Sequence, residues 1–239
     1  MAYSFDGATN YFWKKTSDDY TIPISLSAWV YVIGNTAGTM PFVISRTTGS
    51  RAFIGLNIGS SNRWFMSSSR EATGAGIQAA SATNALLVNK WQFVGGRITG
   101  PCNSFSPLEC VMTNATICCT ATAESAYNAK DILIVNSVLT GATVTDYHTA
   151  LSIGARRRGD GVVESRFSGY VAEAAAWNID LTNDEFRSLG RGIKPTSIRP
   201  QNLISYFPGI RNSIDVVEGI NFTSVNSPSP IDDHSRRYG

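Results

Sequence analysis

Between Ser165 and Ile193 the chain reads SRFSGYVAEAAAWNIDLTNDEFRSLGRGI. A strand-like run breaks at Asn178–Asp180, and one short helix follows with signals at both ends. Thr182 suits an N-cap, and Glu185 three residues later completes a capping box. Leu181 and Phe186 take the two places of a hydrophobic staple. Gly190 and Gly192 supply the stop, and Pro195 stands just beyond. Almost everything else reads as short strands, so the fold must be all-β and still find a use for a single helix.

The clearest strand lies within 22–33. Ile24, Leu26, Ala28, Val30 and Val32 alternate with Ser25, Ser27, Trp29, Tyr31 and Ile33, which puts the first set on a core face. Trp29 and Tyr31 then need cover from another part of the chain. Further strands are expected at 42–46, 52–58, 64–68, 90–98, 111–119, 132–135, 202–207 and 222–225, with turn clusters between them. Residues 67–83 are small and polar and read as a long loop. Segments 151–157 and 162–167 read as a hairpin joined through Gly159-Asp160-Gly161. Short strands at this spacing predict a β-sandwich or jelly roll. A length of 239 residues suits one such domain. It buries roughly 70% of its unfolded surface, so neither a metal nor a disulfide is required to hold the core.

The charge balance is +2, which calls for neither nucleic acid nor an anionic membrane as partner. No run of apolar residues is long enough for a transmembrane helix. The start, MAYSFDGATNYF, lacks the basic and apolar regions of a secretory leader, and so points to synthesis in a cytoplasm. Cys102, Cys110, Cys118 and Cys119 lack zinc-site spacing. They are reduced thiols, or Cys102 and Cys110 pair across a loop.

Several stretches carry a family resemblance. SFDGATNY resembles the FDG opening of laminin-G-like, concanavalin A-like sandwich domains. ISLSAWV, KWQFV and LSIGAR resemble successive strands of those domains. FSGYVAEAAAWNIDLTNDEF resembles their closing strand and the short helix after it. The matches run in order from residue 3 to 193. The resemblance implies a concanavalin A-like jelly-roll sandwich of two antiparallel sheets with one short helix. NLISYFP, Asp215, Gly219 and FTSVNSP resemble a segment that many members place before the FDG strand. Here it comes last, which implies a circularly permuted chain with Leu203–Phe207 pairing beside the N-terminal strand. On that reading 1–227 is the sandwich, 202–225 completes the sheet, and 228–239 is a C-terminal arm.

Free-standing permuted domains of this type resemble virion proteins of tailed bacteriophages. The resemblance implies a non-enzymatic structural protein of the particle, a capsid decoration or tail-associated, located on the virion. Its partners would be capsid or tail subunits, as a homo-oligomer, and cell-surface glycans. The alternatives are a free-standing carbohydrate-binding module or a polysaccharide hydrolase. A retaining hydrolase needs two carboxyls about 5 Å apart, yet no two acidic residues are spaced i, i+2 on a strand, and His148 and His234 are the only histidines. No nucleophile-elbow, phosphate-loop or zinc-helix motif is present, so an enzyme is not expected.

The resemblance also implies a structural calcium site from Asp6, the Gly7 carbonyl and Glu173. Ala172 stands where the family pattern has an aspartate, and calcium takes six to eight oxygens. Glu173 is otherwise a hydrogen-bonded structural carboxylate. Glycan binding needs an exposed aromatic platform beside polar groups. Trp13, Trp64 and Tyr127, with Asn62, Arg63 and Asn128, are the candidates, unless each aromatic is core. Arg156, Arg157, Arg158 and Arg166 form either an anion-binding patch or a solvated hairpin tip.

Overall fold

The alternation at 24–32 is resolved into two hydrophobic layers by the computed structural model, which describes residues 1–20, 23–34, 37–45, 53–69, 76–81, 84–99, 113–120, 132–139, 148–158, 160–209 and 212–231. In chain order the strands begin with β1 (Ala2–Asp6), β2 (Tyr11–Tyr20), β3 (Ile24–Val32), β4 (Phe42–Ser45), β5 (Phe53–Gly59), β6 (Arg63–Ser69) and β7 (Gly76–Ala80). Next come β8 (Trp91–Thr99), β9 (Thr113–Thr120), β10 (Ile132–Leu139), β11 (His148–Ile153), β12 (Arg156–Arg157), β13 (Val163–Glu164) and β14 (Ser168–Trp177). Helix α1 (Asn183–Gly190) follows, and then β15 (Leu203–Phe207), β16 (Thr223–Val225) and β17 (Ser229–Ile231).

Two antiparallel sheets form a jelly-roll sandwich. The first runs β10-β9-β8-β3-β14-β1-β17, with β15 also paired to β14. The second runs β16-β2-β11-β4-β5-β6-β7. Leu26, Val30, Ile44, Leu56, Trp64, Leu151 and Phe207 share the core between them. Ile24, Ala28 and Val32 belong to the same core, as the alternation requires. No helix among the described residues is long and apolar enough to cross a membrane.

The helix supplies the cover that Trp29 needs. Trp29, Phe93, Ala172, Ala175 and Trp177 on the outer face of the first sheet pack with Leu181, Phe186 and Leu189. Gly95, Ser27 and Ala175 stand side by side across β8, β3 and β14, so a row of small residues makes the floor beneath the helix. A Cβ at Gly95 would come within 2.8 Å of the Phe186 ring. The caps are those the sequence predicts. Thr182 N–H donates to Glu185 Oε2 (2.7 Å) and Glu185 N–H to Thr182 Oγ1 (3.3 Å). Gly192 has φ +92, and the Gly192 and Ile193 N–H groups donate to Leu189 and Ser188 carbonyls, a Schellman ending.

Three expectations change. Residues 67–83 are not one long loop, because β6 runs to Ser69 and β7 occupies Gly76–Ala80. Leu203–Phe207 pairs with β14, not with the N-terminal strand. A bulge in β14 explains this: Glu173 adopts φ +53, and β1 pairs before it while β15 pairs after it. Both lie end to end along one edge of β14. The same bulge turns Val171 to the inner core while Ala175 and Trp177 face out, although a regular strand would put all three on one side. The segment from 228 does not start as an arm, because Ser229–Ile231 pairs with Ala2–Ser4 as an edge strand.

Lys14 faces inward from β2 and is buried. Its ammonium reaches Asp215 Oδ2 at 2.5 Å and Glu218 Oε2 at 2.7 Å. Asp215 is fully buried and accepts the N–H of Tyr206 (3.1 Å) and of Val217 (2.9 Å), as well as the Ser205 hydroxyl. Tyr20 donates to Glu218 Oε1 at 3.1 Å. Removing one member strands a buried charge. Asp215→Ala should therefore lower the unfolding free energy by about 3–5 kcal/mol, read by urea denaturation. Arg187→Ala, which breaks the exposed pair with Asp184, should cost under about 1 kcal/mol.

Candidate functional site

The second sheet carries no helix on its outer face among the described residues. Its register sets Trp13, Ser152, Val43, Gly55 and Ser67 in one row. Lys15, Ala150, Ser45 and Phe53 form the next. β11 stops at Ile153 because Gly154 has φ +85, and a Cβ there would lie 2.1 Å from the Phe5 ring. The chain leaves the sheet at this point. It folds back over the outer face as the hairpin β12–β13, in which Arg156 pairs with Glu164 and Arg157 with Val163. The Phe167 N–H donates to the Gly154 carbonyl at 2.8 Å and closes the base. At the tip, Asp160 accepts from Val162 N–H (3.0 Å) and from Arg158 Nη2 (2.7 Å).

The hairpin sits on two aromatic rings. The Arg156 guanidinium carbon lies 4.2 Å from the Phe53 centroid, and that of Arg157 lies 3.9 Å from the Trp13 centroid. Both are cation–π distances. Arg156 Nη1 also binds Glu164 Oε1 at 2.7 Å. Arg158 reaches Asp160 at 2.7 Å and Glu164 at 3.6 Å. Arg157, Arg166 and Lys15 have no carboxylate partner among the described residues. Beneath and beside the hairpin, the hydroxyls of Ser45 and Ser152 and the Nε atoms of Arg158 and Arg166 are buried without a hydrogen-bond partner. Such atoms are uncommon in folded proteins, and here four fall on one short stretch and the strands below it.

The candidate residues named from sequence do not form one site. Trp13 is on this face, but a guanidinium covers its ring, so it is not a bare platform. Trp64 is wholly buried in the inter-sheet core, and its indole N–H donates to Gln92 Oε1 at 2.8 Å. It therefore cannot meet a ligand. Asn62 and Arg63 stand at the β5–β6 turn, where Asn62 donates to Asn84 at 3.3 Å. Arg63 pairs with Gly59, four residues from Gly55, which puts it about 13 Å along the strand from the Trp13 row. Tyr127, Asn128, Cys102 and Cys110 lie outside the described residues. Phe53 was missed. Its outward place on an otherwise apolar strand, together with the arginine run, is the signal that could have found it.

The calcium trio also separates. Asp6 pairs with Ser168, and Glu173 is five residues farther along β14, about 17 Å away. Asp6 instead closes its own turn, accepting Ala8 N–H and Thr9 N–H at 2.8 Å, Asn10 N–H at 3.1 Å and the Thr9 hydroxyl at 2.6 Å. Gly7 packs against Ser168 with φ +71. Glu173 is buried and accepts the Tyr206 hydroxyl at 2.6 Å. Among the described residues no three His, Cys, Asp or Glu side chains gather as metal ligands would.

Solved structures share this fold. A heptameric serum-amyloid-P-like pentraxin from Limulus polyphemus superposes with a TM-score of 0.56 at 9% identity, covering 81% of this chain and 83% of that one. A putative carbohydrate binding protein from Bacteroides ovatus superposes with a TM-score of 0.58 at 15% identity, covering 97% of this chain. The chain spans 60% of that second protein's length. No family model matches the sequence, and no curated protein does. What these proteins share with this chain is the fold.

Asp6 offers a pH test. Desolvation pushes its carboxyl up, but the Thr9 hydroxyl and the Thr9, Ala8 and Asn10 amides outweigh it and hold it well below the usual carboxylate range. A depressed folded value adds stability above the unfolded aspartate value of about 3.9, and that stability is lost as pH falls through the folded value. The Tm gap between wild type and Asp6→Asn should shrink as pH drops from 6 to 2. A constant gap would contradict this.

Proposed function

We propose that the protein is a non-enzymatic glycan-binding module, and that the glycan docks on the outer face of the second sheet around Trp13, Phe53 and the arginine hairpin. The observation that carries this is the concentration of stacked guanidinium groups and unpartnered buried polar atoms on the sheet face that the helix leaves open. Ligand sites are largely pre-formed, with a few convergent polar groups set among aromatic surface. The shared fold with a protein described as a putative carbohydrate binding protein supports the reading.

The non-enzymatic part is supported by the carboxylates. Asp160 and Glu164 beside the face are engaged by arginine. Asp6 and Glu185 are held toward ionisation, the opposite of what a general acid requires. Binding on this reading uses no calcium, since Asp6 and Glu173 are both committed elsewhere.

The finer reading is a circularly permuted laminin-G-like domain carried on a virion. Phe207 leads to Gly209, where an added Cβ would lie 3.6 Å from the Ala2 Cα. In space β15 thus runs on into β1, the order expected of an unpermuted relative. Val216, Val217 and Ile220 expose aliphatic surface at one turn, which a capsid or tail subunit, or a second copy, would cover. Co-sedimentation of the protein with purified particles tests that role.

The glycan reading is tested by an oligosaccharide array followed by calorimetry, with and without chelator. Trp13→Ala should weaken binding by about tenfold or more, the loss expected of one stacked cation–π contact and its ring area, and should leave the fold intact by circular dichroism. Binding to no saccharide at millimolar concentration would overturn the reading.

A further inference from the structure

We infer that this face selects acidic saccharides, whose carboxylate or sulfate oxygens dock on the Arg157 guanidinium with Lys15 beside it. The inference rests on the glycan-binding reading and deepens it. Between 156 and 166 the chain has four arginines, Arg156, Arg157, Arg158 and Arg166, against two carboxylates, Asp160 and Glu164. The difference, 4 − 2, leaves two positive charges, and the ion pairs show where they sit. Glu164 is taken by Arg156 and shared with Arg158, and Asp160 is taken by Arg158. Arg157 and Arg166 stay uncompensated among the described residues.

Arg157 is also the arginine whose guanidinium carbon lies over an indole, 3.9 Å from the Trp13 centroid. That contact holds the guanidinium against the ring, and its N–H groups can still donate to a ligand. A planar fork held in place suits a group with two or more anionic oxygens. Lys15 follows Trp13 by two residues on β2, so it projects from the same face, and it is exposed. It thus sets a second cation about 7 Å along the strand from Trp13. A neutral sugar would instead need the bare Trp13 ring. It would have to displace Arg157 from that ring and forfeit the cation–π contact.

The test titrates the full chain with a galacturonic acid tetramer, a matched neutral galactose tetramer and a sulfated galactose tetramer, at 50 and 500 mM NaCl. The acidic tetramers should bind at least about tenfold tighter than the neutral one at low salt, as charge-assisted hydrogen bonds predict. The preference should fall at high salt. Which acidic tetramer binds tells carboxylate from sulfate, and either outcome supports the inference. Arg157→Gln should remove the preference, Arg157→Lys should restore part of it, and Arg191→Gln, at the C-cap of the helix on the other sheet, should change nothing. Thermal melts confirm that each variant is folded. Equal binding of acidic and neutral tetramers, or an Arg157→Gln variant that keeps the preference, overturns this inference and leaves glycan binding standing. Equal affinity for single-stranded DNA or anionic vesicles also overturns it, since the face would then be a general polyanion surface. Failure of every saccharide overturns both readings.

Discussion

A lysine ammonium sealed between two sheets sets the terms for the rest of the molecule. Lys14 is on the second sheet, and the groups that neutralise it come from the far end of the chain. Burying an ammonium alone costs several kcal/mol even after relaxation. The sandwich can close over Lys14 only if residues 203–222 arrive with Asp215 and Glu218 in place. Asp215 in turn gathers the Ser205 hydroxyl and the Tyr206 amide from the first sheet. One carboxylate therefore ties both layers and the turn at 215–218. A shifted register of β15 would leave Asp215 short of hydrogen-bond donors and Lys14 charged in an apolar core. The cluster thus selects one arrangement of the C-terminal segment, beyond any contribution to net stability.

The bulge at Glu173 does a related job for the first sheet. A residue with φ +53 in mid-strand is a local cost, and the Tyr206 hydroxyl on the Glu173 carboxylate helps hold it. In return, one edge of β14 receives two separate strands, β1 and β15. The outer face also changes character along its length. Beyond the bulge, Ala175 and Trp177 join the helix-covered layer. Toward the other end, Tyr31, Trp91 and Tyr170 form a half-buried aromatic row, with Tyr31 and Tyr170 stacked at 5.0 Å.

Much of the fold is legible in the sequence where the information is local. Thr182, Glu185, Leu181 and Gly192 mark the helix because capping depends on residues three or four apart. The alternation at 24–32 marks a strand with one face in the core, and its aromatics on the other face call for cover, which the helix gives to Trp29. What was hidden depends on distant contacts. Nothing near Lys14 announces a partner at Asp215. Nothing near Glu173 announces a bulge. Strand β7 sets a single Ile among Gly, Gln and two Ala, a mix with little strand signal. At the candidate face, Trp13 and the arginine run could each be named from sequence, but their stacking needs the chain reversal at Gly154. Trp64 reads as well as Trp13 from sequence and differs only in which side of its sheet it faces.

The hairpin that carries these arginines joins the sandwich at one narrow neck, between Gly154 and Phe167. Its tip takes no part in either sheet's ladder: two arginines rest on two rings, and near the neck the Met40 N–H donates to the Ser165 carbonyl at 2.9 Å. Recognition chemistry is thereby insulated from the architecture beneath it. Lineages of this chain can lengthen, shorten or recharge the tip while the two-layer body folds as before, so new ligand preferences are open to it at little risk to the scaffold.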